Sequence, residues 1–358
     1  MSAPRILVVG GTGAFGKRLV HGLTSTTQFD VLVGTRTLGR ERVKIDTNTV
    51  TAQQLDDLRL FAVADAAGPY QSGNYHLARA AVAAGIHYVD IADARNFVAG
   101  FSVLDEEART ANVLALTGAS STPALSNAVL DELVQGWSAI ESIEIAIAPG
   151  NRAPRGLSVI QSILSYSGKP VRVFLDGGWT ERPGWGMTLH REIDGLGKRW
   201  LSLCETPDLD VVPARFSPRR SAVFRAGLEL PMMHLGLAAG AKAVQWGLVP
   251  SLLPFAKPLR WIAERLEPFG SDRGGMIVEA SGFDKAGKPC RASWTLVAEA
   301  GDGPVIPTLP ALAALRALAD GRLRRRGAMI CAGVLDLETL SAEFSPYRIT
   351  TSLRRSPP

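Results

Sequence analysis

The residues best spaced for chemistry lie in the first third of the chain. Gly11-Thr12-Gly13-Ala14-Phe15-Gly16 places three glycines at G-x-G-x-x-G spacing. In that spacing the first glycine permits a tight turn, the second leaves room for a pyrophosphate, and the third lets a helix pack close to a strand. A helix that starts there offers backbone N–H groups and a partial positive charge to the phosphates. The bland reading of the same residues is a glycine-rich turn without a ligand. Their position between an apolar run (RILVV, 5–9) and a helical pattern favours a dinucleotide. Twenty residues past Gly16 stands Arg36, after Thr35. A site for NAD carries Asp or Glu near this point to hold the ribose 2′-OH. An arginine would instead pair bidentately with a 2′-phosphate, with Arg40 assisting. The nearby acid, Asp30, precedes the strand and points away. NADP is therefore the expected cofactor and NAD the less favoured one, against the alternative that Arg36 is a solvated surface residue.

A second set of residues would share the carboxyl edge of the same sheet, where ligands bind in open α/β folds. Ala67-Gly68-Pro69 forms a small, stiff turn that the nicotinamide half of a cofactor can approach closely. Tyr70 and Gln71 follow and are expected to face the crevice. Asp90 and Asp93 close another strand, and alternation sends one inward and leaves the other to cap the next helix. Ser120, Ser121 and Thr122 would complete the rim. Asp93 and Tyr70 are the catalytic candidates, Asp93 as general acid/base or as partner of a substrate ammonium. A helix cap for Asp93 and a stacking role for Tyr70 are the competing structural readings.

Positioning these groups takes alternating strands and helices. Strands are expected at 5–9, 31–34, 43–45, 60–66, 88–92 and 113–117, with helices at 51–58, 74–84 and 97–112. That alternation means βαβ units and a doubly wound parallel sheet. From 140 to 148 (IESIEIAIA) the pattern alternates residue by residue, as in a half-buried antiparallel strand. Further strands are expected at 222–225, 276–282 and 291–298, with a hairpin turn at 284–287. A helix at 307–321 should dock back on the first domain. The expected layout is a dinucleotide-binding domain at 1–122 completed by that helix, a substrate or dimerisation domain at 123–306, and a C-terminal segment at 322–358.

Residues 65–98 (DAAGPYQSGNYHLARAAVAAGIHYVDIADARNFV), with GGTGAFG before them and LTGASSTPALSNAV (116–129) after, resemble the saccharopine dehydrogenase-like NAD(P)-binding family. The motifs that carry the resemblance span about the first 130 residues. It implies an α/β chain in which a Rossmann doubly wound parallel sheet holds an inserted α+β domain built on a mostly antiparallel sheet. It also implies hydride transfer, since members make or break a C–N bond to an amino acid through an imine. Others are lipid-linked enoyl reductases or proteins without known activity. Saccharopine-forming members carry an acid in the loop after the sixth strand, where this chain has Ser120 and Ser121. That departure counts against the lysine-pathway substrate.

Several chemistries are excluded. No Y-x-x-x-K occurs, so the short-chain dehydrogenase dyad is missing. Cys204, Cys290 and Cys331 are too scattered for a disulfide scaffold and suit reduced thiols in a cytoplasmic protein. His21, His76, His87, His190 and His234 do not pair at metal spacing, so no metal is expected. The 358 residues carry a formal charge of +5, all of it beyond residue 122. The densest basic cluster, Arg322 with Arg324, Arg325 and Arg326, follows an apolar helical pattern and suits a helix C-terminus better than nucleic acid.

Residues 228–266 are strongly apolar, broken by prolines, and contain no run of the roughly 20 residues needed to span a bilayer. They could cover an apolar substrate pocket, form a homodimer interface, or lie on a membrane surface with Trp246 and Trp261 at headgroup level. Together the residues point to an NADP-dependent oxidoreductase that moves a hydride to or from a C=N, C=C or C=O bond of a small-molecule substrate, apolar in part, in an interdomain cleft. The alternative is a nucleotide-binding sensor or scaffold without turnover, associated with lipid.

Overall fold

The computed structural model describes residues 3–37, 39, 42–154 and 156–356; Arg40, expected to assist Arg36, lies outside them. The chain divides into two compact units, Met1–Leu125 with Val305–Glu343, and Ser126–Pro304 with Phe344–Pro358.

In the first unit seven strands form one sheet in the order β15-β6-β5-β4-β1-β2-β3. They are β1 (Arg5–Val9), β2 (Asp30–Thr35), β3 (Arg42–Lys44), β4 (Ala62–Asp65), β5 (His87–Asp90), β6 (Leu114–Thr117) and β15 (Gly327–Ile330). Every pairing is parallel. The apolar runs explain this: β4 and β6 are buried along their whole length, as strands covered on both faces must be. The covering helices are α1 (Gly16–Thr24), α2 (Ala52–Asp56), α3 (His76–Ala83), α4 (Arg95–Gly100), α5 (Asp105–Thr110), α11 (Leu309–Ala319) and the short α12 (Leu337–Ala342). Strand order reverses between β1 and β4, and that switch point opens the crevice of a doubly wound sheet.

Two expectations change here. The single helix read at 97–112 is α4, a 3-10 turn at Phe101–Leu104, and α5. The chain breaks at Gly100, where a Cβ would sit 2.5 Å from the Tyr75 hydroxyl, and Phe101 and Leu104 turn into the core. The segment 322–358 is not one piece. Its first part supplies β15, which adds to β6, and its last supplies β16 (Ile349–Ser356) of the second unit. Arg324 and Arg326 donate to the Gly321 and Arg325 carbonyls in the turn after α11.

The second unit is built on a nine-stranded sheet with a main path β10-β11-β12-β7-β13-β14-β16. Its strands are β7 (Trp137–Ala148), β8 (Pro170–Leu175), β9 (Gly178–Pro183), β10 (Leu189–Ile193), β11 (Gly197–Leu203), β12 (Ser221–Ala226), β13 (Gly274–Asp284) and β14 (Pro289–Ala298), with β16 at the edge. Pairing is antiparallel except for β12 against β7. The expected hairpin turn at 284–287 forms, with Asp284 Oδ1 accepting from the N–H groups of Ala286 and Lys288. Its helices are α6 (Ser126–Leu133), α7 (Leu157–Tyr166), α8 (Asp208–Phe216), α9 (Pro231–Gln245) and α10 (Ala256–Leu266). Among the described residues no helix is long and apolar enough to cross a membrane.

Candidate active site at the carboxyl edge of the parallel sheet

The glycine loop leaves β1 through Gly10, whose φ of +75° is open to glycine and costly for other residues. The tight turn expected of Gly11 is therefore made by Gly10, because Gly11 keeps a negative φ and serves packing. A Cβ on Gly11 would meet Val33 Cγ1 at 2.9 Å. Gly10 also ties the crevice together. Its N–H donates to the Gly34 carbonyl of β2 at 3.0 Å, and a Cβ on it would stand 2.8 Å from Ala67 Cα beyond β4. Gly16 has no room for a side chain, since a Cβ there would collide with the Gly10 carbonyl. Gly13 differs: it is exposed, and a Cβ would meet only the Gly10 oxygen, at 3.2 Å. The loop closes through Gly13 N–H to Gly10 O at 2.8 Å and Lys17 N–H to Gly13 O at 3.0 Å. The N–H groups of Thr12, Ala14 and Phe15 have no partner among the described residues, and no side chain caps α1. That is the donor set a pyrophosphate needs.

Thr35 is buried, and its hydroxyl donates to the Thr37 carbonyl at 2.6 Å. Arg36 is exposed just beyond β2 and makes no ion pair among the described residues. Asp30, at the other end of β2, is held by Arg5 at 2.6 Å. These groups match the demands of a phosphate-bearing dinucleotide: glycine positions without room or need for side chains, and N–H donors and a guanidinium without partners among the described residues.

Across the switch point, Ala67 N–H donates to Asp65 Oδ1 at 2.9 Å and leaves Gly68 and Pro69 exposed on the crevice floor. Tyr70 does not face the crevice as expected. It is buried against Phe97, its hydroxyl donates to the Asp65 carbonyl at 2.8 Å, and the Ile91 N–H donates back to it. Burial then pushes its pKa well above the ordinary tyrosine value. A buried hydroxyl whose proton is committed to a backbone carbonyl has no proton to give a substrate, so Tyr70 is a structural pin.

The two aspartates also part from expectation, because neither caps α4. That helix starts after Ala94, which has no side-chain group to donate or accept. Asp90 turns inward. Its Oδ1 accepts from the N–H groups of Ala92 and Gly118 and from the Thr117 hydroxyl, at 2.8–2.9 Å. Its Oδ2 is buried and has no partner among the described residues. Burial pushes the Asp90 carboxyl up to about 7. Asp65 stands directly opposite in the β4–β5 register and accepts from the Tyr88 hydroxyl at 3.0 Å. Burial raises it to about 6. Asp93 reaches solvent, and the protein packed about its carboxyl still raises its pKa, while its own N–H and the Gln71 side chain pull the other way. Of the three aspartates at this edge it is the exposed one. Ser120, Ser121 and Thr122 are buried under the edge and do not form an open rim.

The histidines take structural places. His87 Nδ1 accepts from the Leu114 N–H at 2.9 Å, and burial lowers its pKa to about 4. His234, in the second unit, bonds Ser202 through Nε2 and Leu228 N–H through Nδ1, against Trp185.

Neither a protein-family model nor a curated protein matches the sequence. Solved structures share its fold. The apo saccharopine dehydrogenase (L-Glu forming) of Saccharomyces cerevisiae aligns with a TM-score of 0.70 over 99% of this chain and 100% of that one, at 13% identity. The C. glutamicum DAP dehydrogenase in complex with DAP aligns with a TM-score of 0.51 over 95% and 96%, at 13% identity. An engineered D-amino acid dehydrogenase bound to NADP+ gives 0.51 over 94% and 96%, at 14% identity. The architecture is thus a saccharopine dehydrogenase-like NAD(P)-binding fold: a parallel Rossmann-like sheet with a second, mostly antiparallel domain.

Proposed function

We propose that the chain is an NADP-dependent oxidoreductase acting on a C=N, C=C or C=O bond of a small-molecule substrate. The observation that carries the reading is the pairing of a phosphate-ready glycine loop with an exposed Arg36 at the tip of the adjacent strand, which makes no ion pair among the described residues. The loop N–H groups would hold the pyrophosphate, and Arg36 the 2′-phosphate, bidentately. A bound nicotinamide supplies the hydride. The protein's part is orientation and a proton. Gly68 and Pro69 keep the floor clear of bulky side chains, and the Asp93 carboxyl would give a proton to the substrate or take one from it.

Arg36→Ala tests the cofactor. Loss of a hydrogen bond to a charged group costs about 1.5–3 kcal/mol, so NADPH affinity should fall roughly 10- to 150-fold while NADH affinity holds, by calorimetric titration. Equal loss for both cofactors, or a wild type that prefers NADH, refutes the assignment. A second reading, a nucleotide-binding sensor without turnover, draws on the loss of Tyr70 to the core and the burial of Ser120 and Ser121, which leave Asp93 as the catalytic candidate. NADPH oxidation stimulated by amine/keto-acid or enoyl substrate panels separates the two.

A further inference from the structure

The second unit exposes apolar surface in one stretch. Of the twelve large apolar side chains exposed among the described residues, nine fall between Pro231 and Phe269. Trp246, Leu248 and Phe269 are each about two-thirds or more exposed, with Met232 at 69%. The sequence periodicity explains why. Helix α9 carries one charged residue, Lys242, in its fifteen positions. It buries His234 and Ala241 and turns Met232, Leu235, Ala239 and Trp246 outward at helical spacing. Helix α10 buries Ala256, tucks Leu259 against Leu164 and Leu252, and turns Trp261 and Ile262 outward. Both helices therefore already have an inner face, and the outward apolar stripe is surplus to folding.

Charge accompanies this stripe in a particular way. Residues 230–269 hold four cations, Lys242, Lys257, Arg260 and Arg265, against two acids, Glu264 and Glu267. Arg260 takes Glu264 at 2.7 Å. Lys242 lies over the Trp246 ring at 5.2 Å and Arg265 over Trp261 at 4.7 Å. Tryptophans with a cation on the ring face, beside exposed Leu, Ile and Phe, are what an interfacial helix presents to lipid: apolar side chains for the acyl boundary and cations for the headgroups. A second copy of the same chain fits less well, because an isologous contact sets the patch against itself and brings like cations together.

We propose that α9, α10 and the turn between them form a docking surface for a bilayer bearing anionic phospholipid. The test is flotation of the full-length protein with phosphatidylcholine vesicles, with and without about one-third phosphatidylglycerol. The protein should float with the anionic vesicles, and its tryptophan emission should shift to the blue. Trp246→Ala with Trp261→Ala should abolish flotation and the shift, with the thermal transition retained because both rings are exposed. Lys257→Ala and Arg265→Ala should each weaken binding about fivefold, the worth of one cation near such a surface. Failure to bind anionic vesicles overturns the proposal. So does a dimer by light scattering that the tryptophan pair dissociates while the wild type ignores vesicles, which would assign the face to a second copy.

Discussion

Asp90 gives the sharpest test of how the crevice floor is built. Its carboxyl is fully buried, three donors meet Oδ1, and Oδ2 has no partner among the described residues. Burial outweighs the donors and lifts its pKa from 3.8 to about 7. The folded-state value thus lies above the unfolded one. Between them the native state binds more protons, so stability is fully present below about pH 4 and is lost as pH rises through about 7. At 1.36 kcal/mol per unit, a rise of about three units amounts to about 4 kcal/mol, more than half of it lost between about pH 5 and 8. Asp65, raised to about 6 by the same cause, works in the same direction. Asp90→Asn keeps an oxygen for the three donors and removes the titration. Urea unfolding at several pH values should show wild-type stability declining with pH and the variant following a shallower line, so that the two converge or cross near neutrality. Parallel lines for the two proteins would refute the reasoning, because they would mean that Asp90 ionises in the native state as readily as in the unfolded chain.

Other consequences concern the loop and the exposed acid. Gly16→Ala puts a methyl onto the Gly10 carbonyl and should cost about 1–3 kcal/mol, read as a lower thermal midpoint. Gly13→Ala meets only one oxygen at 3.2 Å, so it should leave the midpoint nearly unchanged while cutting NADPH affinity about tenfold, provided a phosphate lies against this glycine. Asp93→Asn should lower turnover by about 10²- to 10⁴-fold with NADPH affinity intact, measured on whichever substrate first supports oxidation. Because α4 starts after Ala94, Asp93→Ala should cost little stability, and a large loss would restore a structural role.

What was legible in the sequence was whatever repeats locally. The glycine spacing, the apolar runs of β1, β4 and β6, and the change to alternation at β7 follow from chain periodicity, and so does the doubly wound sheet they build. What escaped depends on distant partners. Asp65 and Asp90 each close an apolar strand (AVAD and HYVD), a signal that was available, but the register that sets them face to face across β4 and β5 is not written in either strand. Tyr70 looked exposed because its neighbours are small. Its hydroxyl is taken by a carbonyl five residues back, which only the fold of the turn decides. Gly10 was hidden by the motif itself, whose first glycine is counted one residue later. β9 and β11 were missed because GWTERP and GKRWLSL carry charges and glycine, and their exposed faces need no apolar alternation.

The two buried acids bear on the cofactor without touching it. They sit directly under the turns that carry Ala67 to Pro69 and Ile91 to Asp93, at the edge where a polyanion would lie. Two ionised carboxylates there would oppose its phosphates through a low-dielectric layer, where charges are poorly screened. Burial raises Asp65 to about 6 and Asp90 to about 7, so below about pH 6 the floor stays close to neutral while still supplying the oxygens that fix the turns. Polar groups are needed at the edge to satisfy the N–H groups of Ala67, Ala92 and Gly118, and aspartates with raised pKa values do that with less negative charge against the ligand than ordinary carboxylates would set there. On this argument nucleotide affinity weakens as pH climbs past about 7, where Asp90 ionises in the folded protein, whereas the stability it contributes is lost on the approach to that pH and levels off above it.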